Sequence, residues 1–270
     1  MERNIRIGVQ LNPAGIPDYP AWRAAVLRAE QLGTDVIFGY DHFLSPKAEI
    51  PGAEPIPAGT PELTNFEGWT ALAAWGEATT RAEIGLLVTG IGFRNPDLLA
   101  DMARTVDHIS GGRLVLGVGA GWFEREYATY GYDFGTVKSR MDLFDDGLLR
   151  IKNRLQQLTP PPVRKIPILI GGSGVKRTLP AVARHADIWH SKLPIAAYRD
   201  ASARVTELAE GFGRTGADIE RSVSWEDEHS SDEYAGAGAT LFIIELWPDA
   251  AGYDFSTLEQ MLKWRDARLS

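Results

Sequence analysis

The chain has 270 residues, 44% of them hydrophobic, a formal charge of −8 and no cysteine. That length fits one large domain with a substantial core, and the missing thiols exclude disulfides, thiolate metal sites and a cysteine nucleophile. The acidic balance argues against a general nucleic-acid or anionic-membrane surface, and no apolar run approaches the roughly 18 residues of a membrane-spanning helix.

From the N-terminus, MERNIRIGVQL runs straight into a strand pattern with no signal peptide, so a cytoplasmic protein handling small molecules is the default expectation. The strand Ile5–Leu11 is followed by a helix over Tyr19–Leu32 and a second strand, Asp35–Tyr40. Leu44–Thr64 is rich in proline and glycine and reads as a long loop, the kind that forms a lid or substrate wall on a barrel. A helix over Phe66–Thr79 and a strand over Ala82–Thr89 come next. After Val88 that strand loosens into Thr89-Gly90-Ile91-Gly92, either a bulge pressed on a ligand or a plain strand exit.

Asn95 and Pro96 form an N-cap and first helical position for a helix over Pro96–Ile109. Strands at Arg113–Gly119, Ile166–Gly171, Ala186–His190, Ile219–Trp225 and Thr240–Glu245 follow. They alternate with helices over Val137–Leu158, Val175–Arg184, Ile195–Phe212 and Phe255–Arg268. Between the last two strands, Glu226–Gly238 has room for little more than a turn or two, which predicts a shortened seventh helix. The strands are continuous apolar runs, as in parallel sheets covered on both faces. Eight β/α steps in this length favour an α/β fold of the closed (β/α)8 TIM-barrel type, in a single domain over residues 1–270.

Barrel chemistry sits at the carboxyl ends of the strands. No lysine ends a strand, which argues against a Schiff-base aldolase, and no cluster of His with carboxylates suggests a metal. Asp41 and His42 directly follow the second strand and form the strongest acid/base pair, or a structural pair anchoring the long loop. His190 either lines the same mouth or caps the next helix. The turn Gly171-Gly172-Ser173-Gly174, followed by Lys176 and Arg177, reads as a phosphate cradle or as a tight turn. Gly117 and Gly119 are either ligand-facing or close-packing positions, and Trp122–Phe123 either stack on a ring or pack beneath the next helix. Two glycine turns above buried strands together suggest a mouth that holds a planar, phosphorylated cofactor.

IRIGVQL, the strand ending in YDHF, LVTGIGFRNPDLLADMARTVDHISGGRLVLGVGAGWFEREYATYGYDF and PPPVRKIPILIGGSGVKRTLPAVARHADIWHS closely resemble the bacterial luciferase-like superfamily. Within it they look most like the branch using the deazaflavin coenzyme F420. The likeness runs in order from Ile5 to about Val223. It implies a ring bound at the strand ends, with Asp41 and His42 at its polar edge and substrate side. Leu87, Val88 and Thr89 would form the bulge under the ring, which in this family often carries a non-prolyl cis peptide. Gly119, Ala120, Gly121 and Trp122 would line the ring and ribityl chain. Gly171, Gly172, Ser173 and Gly174 would take the phosphate, while Trp189, His190 and Ser191 close the pocket. Homodimers built through barrel helices are common in this family.

The sequence departs from the family pattern at Trp122, where well-studied deazaflavin members carry a catalytic Glu. Glu124 and His190 are the stand-ins available nearby, and the catalytic set read from sequence is His42, Asp41 and Glu124. The function that results is F420-dependent hydride transfer to or from a small organic substrate. An FMN-dependent monooxygenase using oxygen keeps the fold and changes the cofactor, and a non-catalytic flavin-binding barrel is a third reading.

Overall fold

The computed structural model describes residues 4–47 and 62–268. Its nine parallel strands are β1 (Arg6–Leu11), β2 (Val36–Gly39), β3 (Glu83–Leu86), β4 (Thr89–Gly90), β5 (Leu114–Gly119), β6 (Ile168–Gly171), β7 (Ile188–Ser191), β8 (Glu220–Ser224) and β9 (Ala239–Leu246). Sheet order is β3-β2-β1-β9-β8-β7-β6-β5-β4, and an added β3–β5 pairing closes the ring. Since β3 and β4 occupy one position in that ring, this is the anticipated eight-membered (β/α)8 barrel.

The outer helices are α1 (Tyr19–Leu32), α2 (Gly68–Ala78), α3 (Pro96–Ile109), α4 (Glu124–Tyr130), α5 (Val137–Gln157), α6 (Thr178–His185), α7 (Ile195–Gly211), α8 (Glu228–Gly236) and α9 (Ser256–Asp266). Asn95 caps α3 as expected, its side chain accepting from the Asp97 amide at 2.9 Å with Pro96 in the first turn. The seventh barrel helix, α8, is indeed short at 9 residues, against 17 for α7. Two expectations shift. Helix α6 starts at Thr178 rather than Val175, because the glycine turn consumes the residues in between. Helix α4 has no counterpart in the sequence reading. Most of the long loop anticipated at 44–64 lies outside the described residues.

Strand alternation divides the core. Val36 and Phe38 of β2 point into the barrel with Val115, Leu169, Ile188, Leu241 and Ile243, while Ile37 joins the layer between sheet and helices. Leu87 and Val88 pack on top of the inner cluster, between β3 and β4. The peptide joining them is cis. Backbone proximity explains why glycines surround this break. A Cβ at Gly117 would lie 2.1 Å from the Leu86 carbonyl oxygen, one at Gly85 would lie 2.5 Å from the Val115 carbonyl oxygen, and one at Gly119 would lie 2.6 Å from a Val88 methyl. Gly117 and Gly119 are therefore close-packing positions, and the Leu86–Val88 segment can press inward only because they carry no side chain.

Gly117→Ala forces a methyl group into backbone and should destabilise the protein by roughly 1–3 kcal/mol, read as a lowered Tm in thermal unfolding. Gly211→Ala is the control, since its Cβ meets nothing within 4 Å at the end of a helix. It should leave Tm unchanged or slightly raised.

Candidate active site

The carboxyl ends of β1, β2, β4, β5, β6, β7 and β9 open into one cavity of about 630 Å³. Gly119, Ala120, Gly121 and Trp122 line it together with Gly171, Gly172 and Ser173, so both glycine turns face the same mouth. Their strands are neighbours, with Val118 paired to Ile170. The amides of Ser173, Gly174, Val175 and Lys176 donate to no group among the described residues. Gly172 adopts φ 110°, which an L side chain disfavours. Unpaired amides, a turn built on glycine and the start of α6 together suit a phosphate group. Leu87 and Val88 form an apolar floor, as a flat ring needs. The residues present thus fit a planar, phosphorylated cofactor. Of the two cations anticipated there, Arg177 is committed to Asp142 at 2.9 Å and Asp145 at 2.7 Å on α5, while Lys176 stays exposed.

The acid/base wall differs from its sequence reading. His42 does line the cavity, and its Nδ1 is 2.8 Å from Oε1 of Glu126. Glu126 is fully buried, and its Oε2 accepts from the backbone amides of Phe43 at 2.6 Å and Leu44 at 3.3 Å. Facing a carboxylate, Nδ1 is the donor of this pair, which leaves Nε2 without a partner among the described residues. Tyr40, Trp122 and Phe123 pack against the His42 ring, with centroids at 5.3, 5.6 and 5.8 Å. Glu124 is placed differently: it stands exposed on the first turn of α4 and does not line the cavity. Helix periodicity is the reason. Phe123 and Tyr127 are four residues apart and both buried, which puts Glu126 on the inner side and Glu124 outside. That spacing was visible in the sequence and could have identified Glu126.

Asp41 also lines the cavity, but both of its oxygens accept from Arg94, at 2.5 and 2.8 Å. Arg94 in turn reaches Glu67 at 2.8 Å, the residue whose side chain caps α2. Burial pushes the Asp41 carboxyl up to about 6 while the Arg94 contacts work in the opposite direction. Held at both oxygens, this carboxylate braces the loop after β2. His190 lines the mouth as anticipated, bonded through Nδ1 to Ser222 Oγ at 2.9 Å. Burial pushes it down to about 3, so it is neutral near pH 7 and is a poor proton donor.

Four anticipated cofactor contacts lie behind the lining. Trp189 stacks on Tyr198 and donates from Nε1 to the Gly172 carbonyl at 2.8 Å, supporting the glycine turn from beneath. Thr89 accepts from Trp69 Nε1 at 3.0 Å, and Ser191 Oγ accepts from the Leu193 amide at 3.2 Å. Gly174 sits against Thr178, where a Cβ would be 2.8 Å from Oγ1.

Glu126→Ala removes the acceptor of two half-buried amides and the partner of His42 and should lower stability by about 1–3 kcal/mol. Glu124→Ala should change stability by less than about 0.5 kcal/mol. Chemical denaturation of the two variants side by side separates the buried carboxylate from the exposed one.

The sequence profile of the luciferase-like monooxygenase family matches residues 4–226. A Mycobacterium tuberculosis protein assigned as a coenzyme F420-dependent oxidoreductase is 29% identical over 244 residues, 80% of this chain and 63% of that protein. The chain therefore spans less than two thirds of that relative's length. The F420-dependent glucose-6-phosphate dehydrogenase of Amycolatopsis mediterranei is 26% identical over 282 residues, covering 95% of this chain and 78% of that one. Among solved structures, an F420-dependent secondary alcohol dehydrogenase in complex with an F420-acetone adduct superposes with a TM-score of 0.75 at 15% identity, covering 90% of this chain and 93% of that chain. That likeness concerns the barrel fold. By the family match over most of its length, the chain belongs to the luciferase-like monooxygenase family.

Proposed function

We propose that this protein is a coenzyme F420-dependent oxidoreductase acting on the alcohol or carbonyl group of a small organic substrate. One observation carries the reading: an apolar floor, two glycine turns and an oriented histidine all face a single cavity. The F420-dependent relatives supply the choice of cofactor. Leu87, Val88 and Gly119 to Trp122 would hold the ring, and Gly171 to Ser173 the phosphate end, with Gly174 shaping the turn. When bound, the deazaflavin supplies a two-electron carrier that accepts or gives a hydride.

The chain's own residues handle the proton. In alcohol oxidation, His42 takes the hydroxyl proton at Nε2 while Glu126 holds the opposite nitrogen and stabilises the imidazolium that forms. Carbonyl reduction runs the same transfer backwards, with His42 donating. Trp122 takes the place of an acid with an aromatic wall, and neither exposed Glu124 nor neutral His190 replaces that acid. His42 thus carries the proton alone. Trp122 and Phe123 stack at 5.5 Å and 24°, an apolar lip that limits water around the reacting atoms.

His42→Ala should lower kcat for F420-linked alcohol oxidation by about 10²–10⁴-fold while F420 affinity stays close to wild type. Titrations with F420 and with FMN run beside the kinetics. Tight FMN binding with no F420 affinity would replace this reading by a flavin monooxygenase.

A further inference from the structure

The substrate side of the cavity is walled by Tyr40, Trp122, Phe123 and Trp247. Against this aromatic box, the charged lining is lopsided. Asp41, Glu126 and Glu245 are carboxylates, whereas Lys192 is the one lysine or arginine among the described lining residues. Its ammonium is bound by Oε1 of Glu245, which arrives from β9. Lys47, just outside the lining, stands 5.8 Å over the face of Trp247.

The Lys192–Glu245 pair is not a stabilising device. The Lys192 side chain is 62% exposed, and ion pairs in such surroundings add little to folding. Its effect is local. It cancels the one positive charge that could meet an anionic substrate inside the mouth. A phosphate or carboxylate entering this pocket would lose water and find no unpaired lysine or arginine among the described lining residues, Lys47 standing outside them at the Trp247 rim. Discrimination by an unpaired or repelled charge is a strong form of specificity. The sugar phosphate named for the Amycolatopsis relative would be a dianion in this setting.

We propose that Glu245 sets the charge preference of this site: by holding Lys192, it reserves the pocket for an uncharged aromatic or aliphatic alcohol or carbonyl compound and rejects phosphorylated and carboxylated ones. The inference rests on the oxidoreductase reading for the reacting group, but its charge argument concerns only the pocket walls.

The test uses calorimetric titration of the protein, first with F420 alone and then, with F420 present, with three probes: acetophenone, benzoate and glucose 6-phosphate. Acetophenone and benzoate share a ring and a carbonyl carbon and differ in charge. Wild type should bind acetophenone at least about tenfold more tightly than benzoate and should not bind glucose 6-phosphate measurably. Glu245→Gln should strengthen benzoate binding by about tenfold and leave acetophenone within about twofold. Adding Lys192→Gln to that variant should return benzoate to its wild-type affinity. Lys192→Gln alone, made on the other partner of the pair, should weaken benzoate further. Wild type preferring benzoate or glucose 6-phosphate, failing to bind acetophenone, or showing no gain for benzoate on Glu245→Gln would overturn the proposal. Failure of the F420 titration would overturn the cofactor reading instead, and the three probes would then be compared on the protein alone with the same expectations.

Discussion

The site depends on a constraint of backbone volume. Strands β3 and β5 approach so closely that Cβ atoms at Gly85 and Gly117 would meet the partner strand's carbonyl oxygens at 2.5 and 2.1 Å. Without side chains there, the Leu86–Val88 segment moves toward the barrel axis and sits on the inner core of Val36, Phe38, Val115 and Leu169. Core packing from below thereby sets the height of the cavity floor. Packing of this density does not deform gradually, so the floor is either in place or lost. Everything that faces the cavity is positioned relative to that floor.

Around it, polar contacts fix the walls. Glu126 joins α4 to the loop after β2 through His42, Phe43 and Leu44. Arg94 joins the same loop to the cap of α2 through Asp41 and Glu67. Asp41 and Glu126 are buried carboxylates whose oxygens are all hydrogen-bonded, the condition under which buried ions hold geometry without a large desolvation loss. The consequence is a His42 ring held at Nδ1 in a pocket that Tyr40, Trp122, Phe123 and Trp247 also line. A charged pair at Lys192 and Glu245 then tunes which molecules enter.

Much of this was legible in the sequence, for reasons that differ by element. Tyr19–Leu32 and Pro96–Ile109 were read at the observed bounds, both from apolar spacing and the second also from Asn95 and Pro96 at its start. The barrel and the shared mouth followed from continuous apolar runs ending in glycines. What stayed hidden depends on directions of side chains. Ala82–Thr89 looks like one strand, yet it breaks at Leu87–Val88 because glycines on a different strand leave room. Trp189 and Ser191 sit at a strand end like His190, and alternation turns them away. Glu124 was preferred over Glu126 for want of the short helix α4, whose phase decides which carboxylate is inside.

The most direct test of the account is a crystal structure of this protein with F420 bound. The account predicts the deazaflavin ring lying on Leu87 and Val88, its phosphate held at the glycine turn by the amides of Ser173 and Gly174, and His42 Nε2 facing the open side of the ring. A cofactor phosphate bound elsewhere, or a ring that leaves His42 out of reach of any substrate, would contradict it.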